Sequence, residues 1–245
     1  MNRKTLTLLR FAAVAAVAMA TALSVRANAS LLQDFVLPGN SSVVEWTNLS
    51  STSVALAPST GSGSIAVETP GGKSGMGFYS YTGHYSFTAA TTAVFDVANV
   101  ILQYSGGWNP DYSFETYLSF DQTSPTTVKG PVLSYTLSGG GSGQVNATFA
   151  SVLSGPVTVF VEAVGMEVAF YDYAWQWDLS SIAGTITGVS IVTDVPVHTS
   201  VTGVQIALGD TFASSAIPEP SAYAAIAGAL ILAGACMRRG KRAAA

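Results

Sequence analysis

Ala169-Phe170-Tyr171-Asp172-Tyr173-Ala174-Trp175-Gln176-Trp177-Asp178-Leu179 alternates with a period of two. Its odd positions carry Tyr171, Tyr173, Trp175 and Trp177, and its even positions carry Asp172, Gln176 and Asp178. Successive side chains of a β-strand point to opposite faces, so four large rings share one face and the polar groups mostly share the other. Tyr79, Tyr81, Tyr85 and Phe87 repeat the pattern, with Ser80, Thr82, His84, Ser86 and Thr88 on the opposite face. One reading makes each aromatic face half of a sandwich core, each ring burying ~150–250 Å². The other makes Tyr171, Tyr173, Trp175 and Trp177 the lining of a concave groove that stacks on sugar rings. Tyr and Trp suit that role because each joins an apolar face to a hydrogen-bonding edge.

Outward from this stretch, residues 30–217 show no sustained helical period. β-Branched and aromatic runs alternate with Gly, Pro, Ser and Asn clusters, which is the signature of short strands separated by turns. Strands are expected at Leu32–Leu37, Ser42–Asn48, Ser53–Ala57, Ser64–Glu68, Gly77–Phe87, Ala93–Tyr104 and Phe114–Phe120. Further strands are expected at Val132–Leu137, Gln144–Ala150, Val157–Glu162, Glu167–Asp178, Gly188–Thr193 and Val201–Leu208. Turn signals fall between them at Pro38-Gly39-Asn40, Pro70-Gly71-Gly72, Gly106-Gly107, Asn109-Pro110-Asp111, the Gly-rich run 139–143 and Gly155-Pro156. Many short strands with regular breaks favour an all-β fold, a two-sheet β-sandwich of jelly-roll-like form, over a parallel α/β fold.

The chain has 245 residues and a formal net charge of −4, but the charge is unevenly spread. Between residues 30 and 217 only Lys73 and Lys129 are basic, against the chain's fourteen acids less Glu219, a formal charge of −11. Such an acidic surface excludes nucleic acid and anionic membrane as partners and is compatible with divalent cations or neutral sugars. The one cysteine, Cys236, lies near the C-terminus, so this domain has no disulfide and must be held by its core.

Catalytic patterns are absent. The two histidines, His84 and His198, are far apart in sequence, and no serine sits in a Gly-x-Ser-x-Gly elbow. Zinc lacks its cluster of ligands. Gly71-Gly72-Lys73-Ser74 brushes against a phosphate-binding loop, but Val67 replaces the required first glycine and Pro70 interrupts. The domain therefore reads as non-enzymatic, with no cofactor and no metal site assigned. Two alternatives stay open. Asp172, Asp178, Asp194 and Asp210 offer oxygens to calcium, though no Asp-x-Asp-x-Asp-Gly loop occurs. Glu162 and Glu167, with Gly165 between them, are candidates for the carboxylate pair of a secreted carbohydrate-active hydrolase, as are Glu45, Glu68 and Glu115.

The two ends read as addresses. Arg3, Lys4 and Arg10 precede the apolar run 11–25, and Ala27 and Ala29 supply small residues at the −3 and −1 positions, the pattern of a signal peptide over residues 1–29 cut after Ala29. At the other end Pro218-Glu219-Pro220 is followed by an uncharged, Ala-rich run over residues 222–237 and then by Arg238, Arg239, Lys241 and Arg242. As a helix that run is about 24 Å long, a little short of the ~30 Å hydrocarbon core, and the positive-inside rule keeps its basic end cytoplasmic.

This tail resembles the PEP-CTERM sorting signal of Gram-negative bacteria. The resemblance covers roughly the last tenth of the chain, and the proline-acid-proline motif, apolar helix and basic end occur in the family's order. It implies that Pro218, Glu219 and Pro220 are the sorting motif and that Arg238, Arg239 and Arg242 form the basic membrane stop. It also implies an exosortase-type processing enzyme as partner, besides the Sec translocon and signal peptidase that the N-terminus calls for. The product would pass through the inner membrane to the cell surface or exopolysaccharide matrix. The resemblance says nothing about the domain in front of it.

Overall fold

A computed structural model describes residues 32–47, 49, 56–68, 77–118, 128–161, 165–214 and 216–217. The signal peptide, Pro218-Glu219-Pro220, the apolar run and its basic end lie outside the described residues. Among the described residues no helix is long and apolar enough to cross a membrane.

The described residues form ten strands and one helical turn: β1 (Ser41–Trp46), β2 (Gly63–Glu68), β3 (Tyr85–Thr92), β4 (Asn99–Gly107), α1 (Phe114–Tyr117), β5 (Val132–Leu137), β6 (Ser142–Asn146), β7 (Phe149–Val161), β8 (Met166–Asp178), β9 (Ile186–Val195) and β10 (Val201–Gly209). They build two five-stranded sheets, with orders β1-β10-β4-β8-β7 and β2-β3-β9-β5-β6. Every pairing is antiparallel. The pairing is nested: β1 joins β10, β3 joins β9, β4 joins β8 and β5 joins β6. β2 and β7 are added at the outer edges beside β3 and β8.

The two sheets pack face to face through the alternation seen in the sequence. Val100, Leu102 and Tyr104 of β4, Tyr173, Trp175 and Trp177 of β8, and Val204, Ile206 and Leu208 of β10 face Phe87, Leu133, Val189 and Ile191 of the opposite sheet. Phe87 and Tyr104 meet across the interface as an edge-to-face pair 6.0 Å apart. The outer face of the first sheet is also covered. Phe35 and Leu37 from one side and Ala216 and Ile217 from the other pack on Ile101, Ala174 and Ala207. The Gln176 side-chain amide ties this cover down, donating to Asn99 Oδ1 and to the Ala213 carbonyl, each at 2.8 Å.

Several expected strands differ. Leu32–Leu37 forms no strand: Phe35 and Leu37 pack on a sheet face while Val36 points to solvent. Phe114–Phe120 begins as the helical turn α1, with Ser113 at its N-cap position. Of Ser53–Ala57, only Leu56 and Ala57 are described, and Leu56 makes an isolated bridge to Ile65. Gly77–Phe87 is broken by a bend at residues 81–83, so Phe78 bridges Val201 while β3 starts at Tyr85. That break changes the phase. Tyr85 and Phe87 enter the core, and Tyr79 and Tyr81 turn to the surface.

Candidate functional site

The row expected to line a groove is core. Tyr173, Trp175 and Trp177 are each no more than 1 % exposed. Trp175 stacks on Tyr104 at 5.4 Å, and Tyr173 stacks on Tyr117 of α1 at 4.9 Å. The Trp177 indole N–H donates to the Val145 carbonyl. Burial pushes the Tyr173 hydroxyl far above its ordinary pKa, with Tyr104 and Tyr117 adding to the shift. No ring face of these three is left for a sugar, because β4, α1 and the opposite sheet occupy both sides. Tyr171 alone is half-buried, and its ring meets Phe114 at 4.9 Å and Trp108 at 6.2 Å.

Those contacts lead to the end of the sandwich where surface aromatics gather. Three loops meet there: residues 79–84 before β3, residues 108–118 after β4, and residues 196–200 between β9 and β10. They are locked by hydrogen bonds to one another. Gly107 N–H donates to the Ser200 carbonyl, His198 N–H to the Ser80 carbonyl, and the Asn109 amide to the Val197 carbonyl. Beneath them the buried Tyr85 hydroxyl lies within 3.0 Å of the Phe78 and Thr199 carbonyls. The Tyr117 hydroxyl bonds Thr199 Oγ1 at 2.8 Å and accepts the Asn109 N–H.

On this base stand Tyr79, Tyr81 and His198. Tyr79 and Tyr81 meet edge to face at 4.6 Å, and Tyr81 is 47 % exposed. The Tyr79 hydroxyl and His198 Nδ1 are hydrogen-bonded at 3.0 Å. His198 adopts φ 62°, a left-handed conformation in which non-glycine residues are uncommon and worth a functional question. His84 accepts the Val197 N–H at Nδ1 and lies edge-on to Tyr112 at 5.6 Å. Trp108 stacks on Phe114 at 5.7 Å. Burial, then the neighbouring Tyr81, raises the Tyr79 pKa, so its hydroxyl stays protonated and can donate. Both histidines of the chain and six aromatic rings, Tyr79, Tyr81, Trp108, Tyr112, Phe114 and Tyr117, thus share one loop cluster. Ring surface beside hydroxyl and imidazole groups suits a ligand that combines C–H faces with hydroxyls.

Sequence reasoning missed this assembly because its members are remote from one another: Tyr79 and His198 are 119 residues apart. The one local signal was Gly83, which breaks the alternation between Tyr81 and Tyr85.

The acids stay dispersed. Asp172 is buried on the outer face of the first sheet, where it accepts the Ser154 hydroxyl and burial pushes its pKa up to about 7. Asp178 caps the turn after β8 through Ser180, Asp194 accepts the Lys129 N–H from β9, and Asp210 is held by Asn40 and Thr211. Among the described residues no three His, Cys, Asp or Glu side chains converge as a metal site would require. Glu162 lies outside the described residues, Glu167 is exposed opposite Phe160, and Glu45, Glu68 and Glu115 stand on β1, β2 and α1. Glu45 has an acidic neighbour that the sequence did not suggest: its pKa is raised by burial and then by Asp34.

The outer face of the second sheet carries a shallow depression of about 450 Å³ lined by Ser64, Thr92, Ser134, Thr136 and Ser190. It offers hydroxyls and no charge. Compared with protein-family models and with curated proteins, the chain matches none.

Proposed function

We propose that this chain is an exported, non-enzymatic cell-surface or extracellular-matrix protein, sorted and processed through its PEP-CTERM-like tail, whose β-sandwich binds exopolysaccharide at the Tyr79–Tyr81–His198 end. One observation carries the sorting. Pro218-Glu219-Pro220, an uncharged run and an Arg cluster stand in that order at the C-terminus, behind an N-terminal signal pattern. In this reading the signal peptide directs the chain through the Sec translocon, an exosortase-type enzyme acts at the tail, and the domain is delivered outside a Gram-negative cell. The cysteine-free, acidic domain is compatible with that destination. Its nested strand pairing, with β2 and β7 as edge additions, supports the jelly-roll form of the sandwich.

With the Tyr173–Trp177 rings buried, carbohydrate would bind at the loop end. What supports it is an exposed Tyr81 ring braced by Tyr79 and His198 on a hydrogen-bonded base. Two experiments test the two parts separately. Glu219→Ala, or loss of residues 238–242, should leave the chain unprocessed in the inner membrane, read by fractionation and mass. Normal release of both variants would overturn the sorting. Tyr81→Ala should weaken retention on neutral exopolysaccharide in affinity electrophoresis while thermal stability is unchanged. Equal retention would remove the site.

A second reading, a secreted carbohydrate-active hydrolase, is favoured by one observation, the Glu45–Asp34 proximity. It requires that Glu45→Gln abolish a measurable release of reducing ends.

A further inference from the structure

Four sheet edges exist in this sandwich, and three of them are managed. The outer edge of β1 is occupied by residues 59 and 60, with Glu45 N–H donating to the Thr60 carbonyl and Ser59 N–H to the Glu45 carbonyl. The outer edge of β2 receives Leu56, whose N–H donates to the Ile65 carbonyl. β6 is only five residues long and follows a Gly-rich turn. Short, polar or covered edges are how β-proteins avoid joining one another.

β7 is neither short nor charged, and its only such devices are Pro156 and the register shifts at Val152/Ser154 and Ser154/Val157, all in its first part. It is 13 residues long, and its sequence FASVLSGPVTVFV contains no charged side chain. Among the described residues no backbone group pairs with its outward edge. Its second half also runs past the sheet. β4 ends opposite Phe170, yet β7 and β8 go on pairing from Val157↔Phe170 to Val161↔Met166. This projecting hairpin exposes Val157 at 44 %, Phe160 at 60 % and Met166 at 56 %. Pro156 and the two register shifts interrupt the strand between Val152 and Val157 and leave Val157–Val161 a continuous, β-branched and aromatic segment.

We propose that two copies of this chain pair antiparallel along Val157–Val161 of β7, joining the two sheets that contain β7 through their projecting hairpins. Three features select a second copy as the occupant. An edge strand pairs with itself about a two-fold axis, each copy supplying the donors that the other lacks. Val157 and Met166 lie on one face of the hairpin and Phe160 on the other, so pairing there shields apolar side chains of both copies on each face of the joined sheet. Charge argues for the same place: each domain carries a formal −11 between residues 30 and 217, so two copies repel over most approaches. β7 itself carries no charge, so pairing along it costs less than contact between the acidic faces, with Glu167 opposite Phe160 the one exposed acid described on the hairpin.

The test uses the full chain in mild detergent, with mass measured by light scattering after size exclusion. Wild type should be dimeric. Phe160→Lys should be monomeric, or bind at least ~10-fold more weakly, because a charge on an edge strand opposes pairing. Phe160→Glu should behave the same way, and an equimolar mixture of the two should recover association. Unchanged near-ultraviolet circular dichroism confirms the fold; should Phe160→Lys lose it, Val157→Lys takes its place. A monomeric wild type, a dimer that both Lys substitutions leave intact, or a mixture no more associated than its parts would each overturn the proposal.

Discussion

Asp172 shows what a single residue can do to this molecule. It is a carboxyl buried on a sheet face, with Ser154 as its hydrogen-bond donor and a pKa of about 7. The folded state therefore holds a proton that the unfolded chain, at a pKa of ~3.9, releases. Stability from this group is fully present below about pH 4 and is lost, at up to ~1.4 kcal/mol per unit, as pH rises to about 7. Asp172→Asn should flatten that slope and raise the melting temperature at pH 8, measured by calorimetry across pH. Trp175→Ala tests the other face of the same strand. With the ring buried against Tyr104, its removal should cost ~3–5 kcal/mol in denaturant titrations. The sequence told these two residues apart correctly, since alternation puts Asp172 and Trp175 on opposite faces. Whether the aromatic face was groove or core depended on Tyr104 and Tyr117, which no local pattern connects to Trp175 and Tyr173.

Elements were legible where their partners were regular. β5 spans Val132–Leu137 as the alternation and flanking turns predict, and β8 differs from its expectation by one residue at its start. Legibility failed where a backbone bend reset the phase, as between Tyr81 and Tyr85, and where an apolar run covers a face, as at Leu37. The bridge that precedes the bend depends on Gly77. Its φ of 80° suits glycine, and a Cβ there would collide with the Val201 carbonyl, whose oxygen accepts the Phe78 N–H at 2.9 Å. Gly77→Ala should destabilise by ~1–3 kcal/mol. It should also weaken polysaccharide retention, because Phe78 and Val201 anchor the segments that carry Tyr79 and His198. A variant that melts early and still binds normally would separate the bridge from the site.

At the scale of the whole molecule, the nested pairing makes β1 wait for β10, the last of the described strands. Contacts of that separation cannot form until the intervening chain is largely placed, so refolding should take milliseconds to seconds or longer. Stopped-flow tryptophan fluorescence should follow it, since Trp46, Trp175 and Trp177 all report on the same core. The sequence could name the class from strand spacing but could not order the strands, because order is a property of pairs and not of segments. β10 has one more consequence, a mechanical one. It begins at Val201, just after the loop carrying His198, and from Gly209 the chain runs on toward the C-terminal tail. β4 flanks it from Val201 to Gly209 and β1 flanks its other side from Val204 to Gly209. A polymer gripped at the Tyr81 end and a tail held at the cell would pull β10 lengthwise. Its lateral hydrogen bonds would then resist in parallel, as in a lap joint under shear, instead of opening one after another like a zip.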